Sequence, residues 1–420
     1  MTYGIDFGTS NTVVTALGED GAARILELEL EGDVVPSLMY FEQSGEFSIG
    51  QAALADYSRS IATARASGGH HNQFRFFQGL KFALRDRYFS GTKLFGKRWS
   101  IEQLVGAYLR RLRELADDAT GSHGELAIMG RPVSLSGDPA SEELILARYR
   151  EAARIAGFSD VRFVMEPVAA MSDIARKEAG LTLVFDFGGG TLDLTVAEIG
   201  PGGSRILSSL GVDLGGYHLN EDISRAKVIR HFGYGSKFRS MTGRELEIPG
   251  WITNQVASFY ALPLTDVLHT KAVIKDMLFE AKEKKKLLGL ISFLEGNRWY
   301  ELFDRIDSAK IRLSTEAESS VAFAVPPNVS FAESLGRAEF EAIVAPRVEK
   351  ARALVRAALE KAGVEAADVQ RVVRVGGSSR VPVFAAMLEA EFPGRVREGE
   401  VFTSIASGLI GAHLAGHSIA

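Results

Sequence analysis

Hydrophobic and polar positions recur along this chain with two different periods, and the switches between them outline its elements. Between residues 2 and 40 the pattern is strand-like. Leu26, Leu28 and Leu30 alternate with Glu27, Glu29 and Glu31, the two-residue period of a half-buried strand. After Ser100 the period lengthens: Ile101, Leu104, Val105, Tyr108, Leu109, Leu112 and Leu115 share one helical stripe, and Ser100 with Gln103 forms a capping box. This predicts a helix beginning near Ile101. Leu126 to Met129 reads as a short strand, followed by a polar loop and a helix ending near Gly157. Leu181 to Phe185 and Leu192 to Ile199 form a hairpin in which Leu192, Leu194 and Val196 alternate with Asp193, Thr195 and Ala197. Residues 222–315 are charge-rich and mostly helical, and their densest run, Ala281 to Lys286, reads as a solvated helix face. Val344, Val348, Ala351, Val355, Ala358 and Ala362 recur at steps of four and three before Gly363, an amphipathic helix with a stop signal. The strand Val372 to Val375 runs into Gly376-Gly377, and the remainder reads as helical. Strands alternating with helices in both halves indicate an α/β class with mixed sheets.

Two segments within this pattern are near copies of each other. Gly4-Ile-Asp6-Phe-Gly8-Thr9-Ser10-Asn11 and Val184-Phe-Asp186-Phe-Gly188-Gly189-Gly190-Thr191-Leu-Asp193 both run strand, Asp, aromatic, glycine turn, strand. Asp186 follows Asp6 by 180 residues, about one domain length. A lone Asp-x-Gly-x-Thr occurs in ordinary tight hairpins. Two copies at this spacing point instead to two related lobes that each offer an Asp and a glycine turn to a shared cleft. Such a cleft suits a nucleotide triphosphate: glycines let backbone N–H groups face an anion, and Asp6 and Asp186 can hold Mg²⁺ through its waters.

At 420 residues the chain exceeds the size of a single growing core, so two or more lobes are expected. A net charge of −5 argues against a nucleic-acid or anionic-membrane partner. Cysteine is absent, which excludes disulfides, thiol nucleophiles and Cys-based zinc sites and fits a reducing, cytoplasmic setting. The eight histidines show no metal-ligand spacing, and His70-His71 reads as a loop pair. No signal peptide is visible, and the last 20 residues, which carry no Asp, Glu, Lys or Arg, read as a buried helix rather than a membrane span.

With both hairpins in view, the chain resembles the ATPase part of the DnaK-type heat-shock 70 kDa chaperones, within the actin and sugar-kinase superfold. Further blocks carry the likeness in family order: Ile155-Ala-Gly-Phe158, Glu166-Pro-Val-Ala-Ala170, Asp307-Ser-Ala-Lys310-Ile-Arg-Leu-Ser314, and Val372 to Val383 with its Gly376-Gly377-Ser378-Ser-Arg380 core. The resemblance implies an actin-like fold of two lobes with mixed sheets flanked by helices around a central nucleotide cleft. It implies lobe I over 1–178 with a subdomain at about 36–119, lobe II over 179–399 with a helical subdomain at about 223–314, and a helix at 400–420 returning to lobe I.

Roles follow by position. Asp6 and Asp186 orient the hydrated metal; Gly8, Thr9, Ser10 and Asn11 close over the phosphates opposite Gly188, Gly189, Gly190 and Thr191. Lys81 reaches the γ-phosphate, Thr191 and Asp193 help place the attacking water, Glu166 links ATP to lobe movement, and Pro132 matches the switch proline. Gly215, Gly216, Asp307, Lys310, Ser314, Gly376, Gly377, Ser378 and Arg380 match nucleoside-binding positions. The implied cofactors are ATP/ADP and Mg, and the implied activity is slow ATP hydrolysis that drives a conformational switch. Departures bear on what the switch drives. Ile311 replaces an arginine that often stacks on adenine, Leu146 falls where the chaperones carry a coupling arginine, and Gly243 to Asn297 is longer than its counterpart. The expectation is a chain without the family's apolar linker and peptide-gripping sandwich, which would most resemble the shortened YegD-type branch, with a protein partner docking on the lobes. An actin-like filament subunit and a small-molecule kinase are the alternative readings of the same superfold.

Overall fold

In a computed structural model the chain is described over residues 1–30, 32–67, 74–132, 139–174, 179–200, 203–240, 242–258, 267–399 and 404–419. His70-His71 lies outside these residues. Two large sheets dominate, and they share one strand order. In the first, Asp160–Met165, Leu126–Arg131, Thr2–Phe7, Asn11–Leu17 and Ala23–Ile25 lie side by side, with Val34–Pro36 also pairing to Asn11–Leu17. In the second the order is Val396–Glu398, Arg371–Val375, Gly180–Phe187, Leu192–Gly200 and Gly203–Val212. Both run parallel on one side of the central strand and antiparallel on the other. The repeated motif is therefore the visible part of a repeated sheet, and Asp6 and Asp186 end equivalent central strands.

Local signals account for several boundaries. Ser100 Oγ accepts from Gln103 N–H and Gln103 Oε1 from Ser100 N–H, so the helix Ile101–Thr120 begins where the capping box puts it. Its apolar stripe, Ile101, Leu104, Val105, Tyr108, Leu109 and Leu112, is wholly buried beside the first sheet. The helix Arg337–Ala362 ends at Gly363, whose φ of 70° lets its N–H reach back to the last turn. Ser404–Leu414 is the expected C-terminal helix. Leu409 and Ala412 pack on Ile128, Val164 and Ala169, and Thr15 Oγ1 donates to Ala406 O.

Two expectations need correction. Over Leu26 to Leu30 the alternation does not continue the strand, which stops at Ile25, and Glu31 lies outside the described residues. Glu29 instead turns to accept the Gln51 N–H at the start of the helix Gly50–Ser67, and Leu30 is left fully exposed. The lysine run straddles a helix start: Lys282 and Glu283 precede the helix Lys284–Glu295, and Ala281 is buried against the strand at Phe238. Its lysines are solvated as expected, but only part of the run is helical. The hairpin Glu318–Val325 and Val329–Gly336 adds a pair of strands where no element was predicted.

An arc of aromatic rings joins the two halves of the molecule. Tyr57 and Phe76, from the 36–119 segment, meet Trp299 and Tyr300 at the start of the helix Trp299–Arg312. Phe303 continues the arc to Tyr217, and Tyr217 to Phe82. Polar bonds pin it: Tyr57 Oη donates to Asn297 O (3.1 Å) and Asn297 Nδ2 to Phe74 O (3.3 Å). Phe76 is 1% exposed at the centre of this contact. Phe76→Ala should lower unfolding free energy by about 3–5 kcal/mol, the usual cost of emptying a buried aromatic site. Urea titrations showing a loss below about 1 kcal/mol would mean that the arc lies outside the cooperative fold.

Candidate functional site

The two glycine turns meet at the floor of the cleft between the sheets. Gly8 N–H donates to Asp6 O (3.1 Å) and Gly188 N–H to Thr191 O (3.0 Å), which fixes each turn beneath its aspartate. The tips touch each other: a Cβ on Gly189 would stand 2.4 Å from Ser10 Oγ, and one on Gly190 would stand 2.6 Å from Thr9 Oγ1. A side chain at either position would displace the hydroxyls of Ser10 and Thr9 and crowd the rings of Tyr217 and Phe82. Ser37 supports the first turn, its hydroxyl donating to Gly8 O (2.9 Å) and its N–H to Ser10 O (2.8 Å), while Asn11 opens the following strand.

Lys81 reaches the same floor from the short helix Leu80–Arg85. It is 7% exposed and donates to Glu166 Oε1 at 2.9 Å; Glu166, equally buried, begins the helix Glu166–Ile174 directly after the strand Asp160–Met165. Asp193 pairs with Asp186 across the second hairpin and is buried, and its Oδ1 has no hydrogen-bond partner among the described residues. Lys81, with Arg85 acting on Asp193, is the positive charge that the four carboxylates Asp6, Glu166, Asp186 and Asp193 feel. Burial, and then the charge of Glu166, push Asp6 up to about 7 against the opposing pull of Lys81. Burial and Glu166 likewise push Asp193 up to about 7, and Asp186, buried beside Asp193, is held well above the usual carboxylate range. Burial alone would depress the Lys81 ammonium, but Glu166, with Tyr149 and Asp6, holds it above the ordinary lysine range.

This excess negative charge, with one carboxylate oxygen unsatisfied, is what a divalent cation would offset. Among the described residues no three acidic or imidazole groups converge as ligands for a bare ion. The donor set fits a cation that keeps its water shell, as Mg²⁺ prefers.

A second network lies on the far side of the turns. Lys310 Nζ donates to Asp307 Oδ1 (2.6 Å) and to Gly216 O (3.4 Å), and Asn220 Nδ2 donates to the same Asp307 oxygen (2.7 Å). Burial alone would raise the Asp307 carboxyl, but Lys310 and Asn220 outweigh it and hold the group below its ordinary value. Gly216 N–H and Ser378 Oγ both donate to Gly188 O, at 3.1 and 2.8 Å, which ties Gly215-Gly216 and the 376–380 turn to the second hairpin. Gly376 has a φ of 82°, and a Cβ there would stand 2.4 Å from Phe187 O and 3.0 Å from Asp186 Oδ1. Gly377 opens the short turn Gly377–Arg380.

Two predicted residues stay outside the network. Arg380 is exposed and paired with Glu398 (2.7 Å), and Ser314 follows the Asp307 helix with its N–H on Ile311 O. Ile311 itself is 59% exposed. Pro132 is buried at the end of its strand. The structure adds residues that no motif marked: Ser37 under the first turn, Asn220 on Asp307, Tyr149 beside Lys81, and Phe82 edge-on to Tyr217. Asn220, four residues after Gly216, and Phe82, next to Lys81, had neighbouring motifs that could have drawn notice.

Two sheets of one topology, each presenting an aspartate and a glycine turn to a common cleft, define the actin-like ATPase fold. A family model described as Hsp70 protein matches residues 2–237 and 272–401, and the chain belongs to the Hsp70 family. It is 24% identical to the chaperone protein DnaK of Thermosipho melanesiensis over 399 residues, covering 93% of this chain and 54% of that protein. It is 26% identical to the DnaK of Elusimicrobium minutum (94% and 54% covered) and 24% identical to that of Cyanidium caldarium (98% and 60%). The chain thus spans between half and two thirds of the length of these relatives. Residues 238–271, left unmatched by the family model, overlap over 243–271 with the stretch read from sequence as enlarged. Among the described residues no helix is long and apolar enough to cross a membrane.

The raised carboxylates give a pH signature. They hold protons more tightly in the folded chain than in the unfolded one, so their contribution to stability is greatest at low pH and is lost as pH rises from about 4 through 7. In metal-free and nucleotide-free buffer, Asp6→Asn should melt above the parent at pH 8, with the difference shrinking towards pH 5. A midpoint difference that stays constant over this range would show that Asp6 is not titrating in the fold.

Proposed function

We propose that this chain binds ATP with Mg²⁺ in the cleft and hydrolyses it slowly, acting as a nucleotide-driven conformational switch of the chaperone type. The observation that carries this reading is the meeting of Asp6, Asp186 and the Lys81–Glu166 pair at the contact between the two glycine turns. Backbone amides of Gly8 to Asn11 and Gly188 to Thr191 would cradle the phosphates. Asp307, Lys310, Ser314, Gly215, Gly216, Gly376, Gly377, Ser378 and Arg380 would hold the nucleoside.

Phosphoryl transfer to water asks mainly for positioning and charge stabilisation. When bound, Mg²⁺ supplies charge neutralisation on the phosphates, held through its waters by Asp6 and Asp186. Lys81 would turn from Glu166 towards the transferring group. Thr191 and Asp193, adjacent on the second hairpin, would hold the attacking water in line. The raised Asp193 carboxyl suits a group that accepts a proton from that water near neutral pH.

We assign lobe I to 1–178, lobe II to 179–399 and the returning helix to 400–420, with the cleft between the lobes. Membership in the Hsp70 family and likeness to DnaK proteins support a chaperone-type role over a filament subunit or a small-molecule kinase. Cytoplasmic location and a protein partner belong to the same reading, and the 243–297 stretch, which ATP chemistry does not require, is the surface we assign to that partner.

Radiolabelled ATP under single turnover separates the roles. Lys81→Ala should slow hydrolysis about 10²- to 10³-fold, the range for losing one preorganised donor, with ATP still bound. Parental rates in this variant would return Lys81 to a purely structural role. Lys310→Ala should instead weaken ATP binding about tenfold to a hundredfold, as expected when a charged hydrogen bond worth roughly 1.5–3 kcal/mol is lost. A calorimetric Kd within twofold of the parent would remove the Asp307–Lys310 helix from the nucleoside site.

A further inference from the structure

In the mechanism proposed above, Lys81 turns from Glu166 towards the transferring phosphoryl group. When the ammonium leaves, Glu166 remains as a buried carboxylate without its charged partner, an unfavourable state unless another donor arrives. We propose that Tyr149 is a positioning residue whose hydroxyl takes over the Glu166 carboxylate while Lys81 is engaged elsewhere. The inference rests on the ATPase reading above.

Tyr149 is 1% exposed, on the helix Pro139–Ala156, and its Oη has no hydrogen-bond partner among the described residues. Its ring stands edge-on to Phe163 (6.1 Å between centroids), three residues before Glu166. The adjacent Arg148 donates to Leu84 O (3.0 Å), Asp86 O (2.7 Å) and Phe89 O (2.8 Å), which clamps the Tyr149 helix to the end of the Lys81 helix. The Tyr149 ring thus packs on the strand that leads to Glu166 while its helix is tied to the helix that carries Lys81, and the hydroxyl feels the charges of Lys81, Arg85, Glu166 and Asp6. Leaving a buried hydroxyl unpaired is unfavourable, and phenylalanine would fill the same space without that penalty. A donor needed only when Lys81 departs accounts for the hydroxyl. No proton changes hands in the exchange, because burial keeps the phenol protonated well beyond neutral pH.

The test is a pair of double-mutant cycles on the whole chain. The first uses thermal midpoints without nucleotide. Tyr149→Phe alone should leave the midpoint unchanged or raise it, since it deletes an unpaired group. In a Lys81→Met background, where the hydroxyl should already be on Glu166, the same change should lower the midpoint by about 2 °C. Equal shifts in both backgrounds overturn the proposal, whatever the ATPase does. The second cycle uses single-turnover hydrolysis. Tyr149→Phe should slow the step about tenfold, with the ATP Kd within twofold of the parent, and should add less than twofold in a Glu166→Gln background, where no charge is stranded. Equal slowing in both backgrounds, or an unchanged rate in an active parent, also overturns it. A parent that neither binds nor hydrolyses ATP defeats the ATPase reading and leaves the thermal cycle to decide the Tyr149–Glu166 contact.

Discussion

Four carboxylates crowd around one buried ammonium, and the arrangement of both sheets follows from keeping that crowd together. Asp6 and Asp186 arrive on equivalent central strands, Asp193 on the neighbouring strand, and Glu166 at a strand-to-helix junction. Buried ions lose hydration that a single ion pair seldom restores in full. The Lys81–Glu166 bond at 2.9 Å compensates part of this, and the rest of the fold bears the remainder. A site under such charge pressure is stabilised by whatever brings positive charge into it.

The features legible in the sequence were those written into contiguous residues. Both glycine turns, the capping box at Ser100, the stop at Gly363 and the strand before Gly376 are local devices, and the structure holds each where local rules put it. The pairing of Asp307 with Lys310 is also local, since residues three apart share a helix face. The misreading of Leu26 to Leu30 has a tertiary cause. A strand-like alternation lost to the demand of a helix start for an acceptor, which Glu29 supplied.

What escaped the sequence is what joins distant segments. Tyr57 meets Tyr300 and Asn297 across some 240 residues, and Tyr149 faces a lysine 68 positions earlier. No period or spacing encodes such meetings. The hairpin from Glu318 to Gly336 was open to a period-two reading, because Val321, Phe323 and Val325 are buried in alternation, but small residues between them dilute the contrast.

The aromatic arc from Tyr57 to Phe82 has a thermal consequence. Parting the two halves would bring mostly ring carbon into water, and exposure of apolar surface raises heat capacity. The enthalpy of opening therefore grows with temperature, and the hydrophobic part of the closing force weakens on cooling. Ionic latches respond chiefly to salt, by screening. The Arg85–Asp213 pair that also joins the halves is of that kind, whereas parting the ring contacts would respond to temperature through the hydration of carbon.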